Sequence, residues 1–198
     1  LNGVFKISTE KKEEKVESKL YTERNTSKPR ERIEHPKVVI LVFPGTNCED
    51  DCARAFRKEG AEVVQVLIRN LNKEALIESV DRLEKEIRTA QIIMLPGGFS
   101  AGDEPDGSAK FIATVFRNEK IKDAVMDLLN NRDGLMLGIC NGFQALIKLG
   151  LVPYGEIRDI EEDMATLTYN NINRHMSSII RTRISSVKIG RASCRERV

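Results

Sequence analysis

Four short apolar runs, each followed by a segment with helical spacing, constrain the fold of this chain more than any other feature. The runs cover residues 37–43, 62–68, 91–95 and 135–139. Short, nearly continuous apolar runs are typical of strands buried on both faces of a parallel sheet. Because strands and helices alternate along the chain, the sequence predicts an α/β fold with an open, mostly parallel sheet and helices on both faces.

The helices between these runs are marked by capping residues. Asn47 is the expected N-cap of the first helix, and Asn70 or Asn72 is the expected cap of a second helix over 71–88. Gly150 is the expected stop of the last helix, since glycine is the usual residue just beyond a helix C-terminus. The remaining helices are predicted over 107–117, 119–131 and 141–149.

Between the fourth run and its helix lies the pattern Gly138-x-Cys140-x-Gly142. A nucleophile between two such glycines is typical of the nucleophile elbow, a sharp strand-to-helix turn that has no room for neighbouring Cβ atoms. The N-terminus of the following helix favours the thiolate form of the cysteine. The alternative is that Cys140 is a small core residue, since free cysteine is among the most buried residue types, but this leaves both glycines unexplained.

Three glycine-rich breaks follow the ends of predicted strands, at 44–47, 96–103 and 138–142. The carboxyl ends of parallel strands meet at one edge of the sheet, where ligands bind, so these breaks are expected to form one site. Attack of a thiolate on an amide or ester carbonyl creates an oxyanion that needs preorganised N–H donors. Gly97 and Gly98 let the main chain present its amides there, although Pro-Gly-Gly is also typical of an ordinary tight turn. The amide of Asn141 is the second expected donor.

The composition is that of an ordinary soluble protein, with 40% hydrophobic and 31% charged residues. No apolar run approaches the roughly 18 residues of a membrane span, and the start lacks the residue order of a signal peptide. Cys48 and Cys52 have no second ligand pair at zinc spacing, and nothing indicates a disulfide scaffold. We therefore expect a cytoplasmic protein with no membrane partner and no metal site in this chain.

The two ends of the chain differ in composition from its middle. Residues 1–36 are polar and charge-mixed, which is typical of a linker. Residues 187–198 have a net charge of +3 and no periodicity, and are predicted to be a non-native tail that resembles vector read-through. Because the whole chain has a formal charge of +2, the remainder stands at −1, so nucleic acid is not an expected partner.

Three motifs in this order and spacing resemble the class I (triad) glutamine amidotransferases. They are Pro44-Gly-Thr-Asn47, Pro96-Gly-Gly-Phe-Ser-x-Gly-Asp103 and Gly138-Ile-Cys-Asn-Gly-Phe-Gln144. The likeness is strongest to the glutaminase domain family of phosphoribosylformylglycinamidine synthase, extends over 37–186, and includes the segment 165–174 after the elbow. It implies a flavodoxin-like fold that is incomplete at its C-terminal end. Residues 1–36 resemble the linker of the large single-chain form, in which an ATP-dependent synthetase precedes the glutaminase.

The resemblance also implies a reaction. Cys140 attacks the side-chain amide of glutamine, which gives a γ-glutamyl thioester and ammonia, while the amides of Gly98 and Asn141 hold the oxyanion. The implied substrate-binding residues are Gln144, Gly97 and Phe99. Ammonia then passes to the synthetase, which uses ATP and Mg²⁺ to convert formylglycinamide ribonucleotide to formylglycinamidine ribonucleotide in purine biosynthesis. No cofactor is implied in the glutaminase domain itself.

The sequence departs from the family in the general base. A thiolate nucleophile normally works with a His that a carboxylate orients, and in this family the His and its Glu partner come well downstream of the elbow. The chain contains two His residues: His35 lies in the predicted linker, and His175 is not at the family's catalytic position. We therefore expect the chain to be a domain cut before its base and to turn glutamine over poorly by itself.

Two other interpretations stay open. One is a different elbow-cysteine enzyme of the intracellular-protease or deglycase type, in which an acid on an earlier loop, here Asp103 or Glu104, pairs with the thiol. The other is a non-catalytic module that docks on a synthetase. The motifs Gly-x-Cys-x-Gly-x-Gln and Pro-Gly-Gly-Phe-Ser fit the first of these less well, and a reactive Cys140 would argue against the second.

Overall fold

A computed structural model describes residues 32–99 and 109–159, together with residues 161, 162, 164, 167, 172 and 174. The strands within these residues are β1 (Lys37–Val42), β2 (Glu62–Leu67), β3 (Ile92–Leu95) and β4 (Leu135–Gly138). The helices are α1 (Glu49–Lys58), α2 (Lys73–Thr89), α3 (Lys110–Phe116), α4 (Glu119–Asn130), α5 (Asn141–Lys148) and α6 (Leu151–Tyr154). The predicted linker up to residue 31 and the predicted tail over 187–198 lie outside the described residues.

The four strands form one parallel sheet in the order β2-β1-β3-β4. The chain moves from β1 outwards to β2 and then returns past β1 to β3 and β4, so the direction of winding reverses between β1 and β3. This is the flavodoxin-like order, in which the crevice at the reversal point is the usual place for a ligand. The predicted α/β fold with a parallel sheet is confirmed.

Helices cover both faces of the sheet, as predicted, but unequally. On one face, Val39, Leu41, Ile93 and Met136 point into a large core shared with α2, α3, α4 and α5. On the other face, Val38, Ile40 and Met94 form a smaller core with Ala53 of α1. Right-handed crossovers explain this arrangement, because the single step from β1 to β2 runs opposite to all the later steps.

The prediction that the fourth run is buried on both faces is wrong for the described residues. Met136 is 5% exposed, whereas Leu135 is 39% and Leu137 is 43% exposed. The strand register places Leu135 beside Ile92 and Leu137 beside Met94, on the face that α1 covers. Since α1 packs over β1 and β2, the described residues leave this side of β4 uncovered.

Of three predicted helix caps, two are confirmed and one is wrong. Asn72 caps α2, with its side chain accepting a hydrogen bond from Ala75 N at 2.8 Å. Gly150 has φ 79° just beyond α5, as predicted. The N-cap of α1 is Cys48 instead of Asn47, because the backbone of Asn47 is paired with a distant loop and the helix begins only after it. None of the described helices combines the length and apolar character needed to cross a bilayer.

Candidate active site

Cys140 lies at the junction between β4 and α5, with its side chain exposed. It is the N-cap residue of α5 and has φ 53° and ψ −109°, a conformation that non-glycine residues rarely adopt. Two backbone bonds hold the turn: Ile139 N donates to Leu95 O at 3.0 Å, and Gly142 N donates to Ile139 O at 2.9 Å. An exposed thiol on a strained strand-to-helix turn is the geometry of a nucleophile elbow.

The two glycines beside Cys140 are required by close backbone approaches. A Cβ on Gly142 would overlap the carbonyl group of Leu95, whose carbon atom would lie 2.7 Å away. A Cβ on Gly138 would lie 2.6 Å from Gly142 O. Any larger residue at either position would therefore push α5 away from the sheet and displace the thiol.

Gly97, on the loop after β3, borders the nucleophile directly. An ideal Cβ built on Gly97 would lie 3.4 Å from the Cβ of Cys140 and 3.7 Å from Ile139 O. The main chain of this loop is thus in contact distance of the elbow. A carbonyl group bound at Cys140 would come within reach of the amides of the loop.

On its other side, the loop 97–99 pairs with the loop 45–47 that follows β1. Thr46 and Gly98 form an isolated antiparallel bridge. The flanking bonds run from Asn47 N to Gly97 O at 2.9 Å and from Phe99 N to Gly45 O at 2.8 Å. The loop after β3 is therefore fixed between the elbow on one side and the β1–α1 loop on the other.

This pairing sets the direction of the Gly98 N–H. The carbonyl of Gly97 points towards Asn47, and in a trans peptide the N–H of the next residue points the opposite way. The opposite side is that of β4 and Cys140, since β1 and β4 flank β3 on its two sides. Gly98 has φ 127°, and a Cβ there would lie 2.7 Å from Asn47 N and would overlap Gly45 O. Only glycine fits this position.

Asn141 and Gln144 lie in the first turn of α5. Asn141 is 3% exposed, and its Nδ2 donates to Gln144 Oε1 at 3.0 Å. The backbone N–H groups of a first turn point out of the helix N-terminus, here the end next to Cys140. Phe99 is 56% exposed on the facing loop. The structure thus brings all the predicted site residues, Cys140, Gly97, Gly98, Asn141, Gln144 and Phe99, to the carboxyl edge of the sheet; their roles stay predictions.

Within the described residues, the one histidine is far from the thiol. His35 precedes β1, and its Nδ1 donates to Gly60 O at 3.0 Å. It therefore lies at the amino edge of the sheet, about 20 Å from the carboxyl edge for a strand that rises ~3.3 Å per residue. His175, Asp103 and Glu104 lie outside the described residues.

The other thiols of the described part of the chain are Cys48 and Cys52, both free. Burial raises the pKa of the Cys52 thiol above its usual value, and the nearby Cys48 and Asp51 act in the same direction. Cys52 is therefore a poor nucleophile at neutral pH. Among the residues that the structure describes, no group of three or more His, Cys, Asp and Glu side chains could hold a metal ion.

A shallow cavity of about 300 Å³ lies on the β2 side of the same sheet edge. Its lining residues are Pro44, Asn70, Lys110, Phe111 and Thr114. It contains none of the predicted site residues. The elbow and the loop after β3, and not this cavity, are therefore the candidate active site.

Sequence reasoning assigned no role to two residues that shape the site, Thr46 and Leu95. The carbonyl of Leu95 accepts the Ile139 N–H and receives the close approach of Gly142. Thr46 pairs with Gly98. The Pro-Gly-Thr-Asn motif pointed to the second of these, but only the strand order shows that it lies beside the loop after β3.

The chain is similar in sequence to a known domain family and to several known proteins. Residues 35–192 match the CobB/CobQ-like glutamine amidotransferase domain model. The phosphoribosylformylglycinamidine synthase subunit PurQ of Methanococcus maripaludis is 37% identical over 140 residues, which are 71% of this chain and 47% of that protein. The subunit of the same name from Dehalococcoides mccartyi is 38% identical over 143 residues, 70% of this chain and 48% of the relative.

A chain in the solved structure of PurLQS from Thermotoga maritima is also similar, with 30% identity and a TM-score of 0.41 over 60% of this chain and 46% of that chain. The present chain spans about half the length of the curated relatives it matches. The domain match covers most of the chain and includes the elbow and both loops that border it. The chain belongs to the CobB/CobQ-like glutamine amidotransferase domain family.

Proposed function

We propose that this chain is the glutaminase part of a phosphoribosylformylglycinamidine synthase, which releases ammonia from glutamine. The observation that carries the proposal is the exposed thiol of Cys140 on a strained elbow, with the Gly97 main chain against it. A small core cysteine needs neither exposure nor strain. A nucleophile needs both, because the substrate has to reach it and the turn has to hold it clear of the sheet.

In the proposed reaction, the thiolate of Cys140 attacks the side-chain amide carbon of glutamine. An S–C bond forms, and the carbonyl oxygen takes up negative charge that the N–H groups of Gly98 and Asn141 stabilise. The C–N bond then breaks, and the nitrogen takes up a proton and leaves as ammonia. Water hydrolyses the thioester to glutamate and regenerates the thiol. Gln144, Gly97 and Phe99 are the residues we assign to substrate binding.

The ammonia has a proposed acceptor. The relatives are named as subunits of phosphoribosylformylglycinamidine synthase, so we assign the chain to a synthetase partner that uses ATP and Mg²⁺ to make formylglycinamidine ribonucleotide. Those relatives are named as subunits. The linker composition of residues 1–36 is our basis for proposing that the synthetase here lies on the same polypeptide. We place the reaction in the cytoplasm and expect no cofactor in the glutaminase part.

The general base is the missing element of this proposal. His35 lies at the amino edge of the sheet, away from the thiol, and we assign the role of general base to neither His35 nor His175. We therefore expect the 198-residue chain to release ammonia from glutamine at less than about 1% of the rate of a complete glutaminase, since a catalytic base contributes 10²–10⁴-fold. Ammonia release at a normal rate would contradict this part.

The test of the site is covalent labelling by a diazo-ketone analogue of glutamine, measured by intact mass and peptide mapping. Its ketone oxygen takes the place of the glutamine amide oxygen, so it uses the same pocket and the same donors. We expect one label per chain, on Cys140, blocked by glutamine and absent in Cys140→Ala. Iodoacetamide, which needs no glutamine pocket, serves as the control for thiol access.

The outcomes separate the alternatives. Equal and slow labelling of Cys48, Cys52 and Cys140, with no protection by glutamine, would overturn the proposed function. Cys52 in particular is expected to react slowly, because its thiol stays protonated at neutral pH. Labelling of Cys140 by both reagents without glutamine protection would point to another elbow-cysteine enzyme, and no labelling of Cys140 would favour a docking module.

A further inference from the structure

We infer that Thr46 is a positioning residue for the oxyanion site, acting through the loop 97–99. The inference rests on the proposed function, since it concerns the same reaction. It starts from the motif Pro44-Gly-Thr-Asn47, because the proposed reaction assigns no role to any of its residues. The motif lies at the end of β1, on the side of β3 opposite to Cys140.

A hydrogen-bonded turn ends β1. Thr46 N donates to Phe43 O at 2.9 Å, and Phe43 N donates to the side-chain Oγ1 of Thr46 at 2.9 Å. Gly45 has φ 88°, so Pro44 and Gly45 occupy the two central positions of a type II turn. The hydroxyl of Thr46 therefore closes this turn with a second hydrogen bond that a backbone alone would not supply.

This turn is hydrogen-bonded to the loop after β3. The backbone of residues 45–47 makes both hydrogen bonds of the bridge centred on Thr46 and Gly98. One of them holds the Gly97 carbonyl towards Asn47 at 2.9 Å. The same peptide carries the Gly98 N–H on its opposite side. Rotation of this peptide would turn the donor away from Cys140, so the turn fixes the donor's direction.

Among the described residues, the end of β3 is also held by the elbow. Leu95 O accepts the Ile139 N–H at 3.0 Å, which ties the end of β3 to β4 just before the nucleophile. Loosening the turn at Thr46 therefore leaves Cys140 in place and releases the Gly98 peptide. A substitution that removes the Thr46 hydroxyl should therefore weaken stabilisation of the oxyanion more than it changes access to the thiol.

The experiment compares Thr46→Val with the unmodified chain in the kinetics of Cys140 labelling. The diazo-ketone analogue of glutamine yields a maximal rate, kinact, and a binding constant, KI, while iodoacetamide reports access to the thiol. We expect Thr46→Val to lower kinact at least about tenfold with KI within about threefold, since loss of an oxyanion donor costs up to 10²–10³. Iodoacetamide should modify Cys140 at an unchanged rate.

Two control variants isolate the role of the hydroxyl. Thr46→Ser keeps the oxygen that accepts the Phe43 N–H and should restore kinact to within about threefold of the unmodified chain. Thr114→Val removes a threonine hydroxyl that donates to Lys110 O at 2.9 Å within α3, and should change neither reagent's rate. If Thr46→Val does not fold, Thr46→Ala removes the same oxygen with a smaller side chain and replaces it in the comparison.

The two proposals fail in different ways. Unchanged kinact in folded Thr46→Val or Thr46→Ala, with glutamine still protecting Cys140, overturns the role of Thr46 and leaves the glutaminase proposal intact. An equal loss of the diazo-ketone and iodoacetamide rates also overturns it, because the residue would then support only the overall structure. Absence of glutamine-protected labelling in the unmodified chain overturns the proposed function and this inference with it.

Discussion

The loops around Cys140 and the amino edge of the sheet differ in the contacts that hold them: main-chain bonds in the first, and added side-chain bonds and ion pairs in the second. Around Cys140 at the carboxyl edge, the loops contact one another through main-chain atoms: Asn47 N to Gly97 O, Phe99 N to Gly45 O and Ile139 N to Leu95 O. Gly98 and Gly142 lie where a Cβ would overlap a neighbouring backbone. Three loops therefore meet here with almost no side chain between them.

At the amino edge, long side chains reinforce main-chain bonds such as Gln91 N to Lys37 O at 2.9 Å. Lys37 Nζ pairs with Glu86 at 2.6 Å and donates to Thr89 Oγ1 at 2.7 Å, which ties β1 to the end of α2. Arg132, just before β4, donates to the carbonyls of Ile87 and Ala90 at 2.9 and 2.8 Å. Such contacts stabilise the ends of elements but fix no backbone amide beside a thiol.

The difference separates positioning from stability within one sheet. Backbone contacts at the carboxyl edge hold amides in fixed directions and leave space above the thiol for a substrate. Side-chain contacts at the amino edge tolerate movement, because long side chains can adjust. Substitutions at the carboxyl edge should therefore change the reactivity of Cys140, whereas those at the amino edge should change stability and leave reactivity alone.

Gly98→Ala should produce the largest effect and tests the carboxyl edge directly. Its φ of 127° and the overlap with Gly45 O exclude a side chain without moving the loop. We expect kinact for the diazo-ketone at Cys140 to fall at least about 100-fold, as for loss of an oxyanion donor. Gly60→Ala is the matched control: φ is 85° there too, but a Cβ would meet nothing within 4 Å. It should lower the free energy of unfolding by about 1–2 kcal/mol and leave labelling unchanged.

Arg132→Met should have the next largest effect, on stability alone. It removes the two bonds to the end of α2 and the bond from Nε to Asp127 Oδ2 at 2.8 Å. We expect a loss of about 2 kcal/mol in urea unfolding, since bonds from a charged donor are worth about 1.5–3 kcal/mol. Arg54→Met, at a pair that is 77% and 70% exposed, should cost less than about 0.5 kcal/mol. A changed labelling rate in Arg132→Met would contradict the separation of the two edges.

The comparison of Cys140→Gly with Cys140→Ala tests the backbone strain at the elbow, and the glycine variant should be the more stable of the two. Cys140 holds φ 53° and ψ −109°, and strain of this kind costs about 1–3 kcal/mol, which glycine avoids. We expect Cys140→Gly to be more stable than Cys140→Ala by about 1 kcal/mol in urea unfolding. Equal stability of the two variants would show that the elbow is not strained.

The elements of the fold also differ in how far the sequence predicts them. The strands and the Asn72 cap of α2 follow from local patterns, and the alternation of strands and helices predicted the parallel sheet. The elbow was predicted because its motif is continuous in the chain. The displaced cap at Cys48 and the exposure of Leu137 were not, because each depends on elements distant in sequence.

The same limit applies to the site. The sequence identified the glycine-rich loops, but it did not show which backbone atoms lie close to each glycine. Residues 45–47 and 97–99 are about fifty positions apart, and only the strand order brings them together. Patterns in a sequence report local periodicity, whereas the direction of one amide depends on pairing across the sheet. The short helix α6 carries too few residues to show a period and was not predicted either.

The smallest effect concerns Asp127, which completes the amino-edge contact. Hydrogen bonds from Asn131, at 2.9 Å, and from Arg132 lower the pKa of Asp127 below its usual value. A lowered folded-state pKa gives stability above the unfolded value of about 3.9, and this is lost as pH falls through the folded value. Asp127→Asn should therefore destabilise the chain by less than about 1 kcal/mol at pH 7, with the difference shrinking below about pH 4. Asp123→Asn, at an exposed carboxyl on the same helix, controls for the lost charge. A difference that grows on acidification would mean that this carboxylate does not support the contact between α4 and the end of α2.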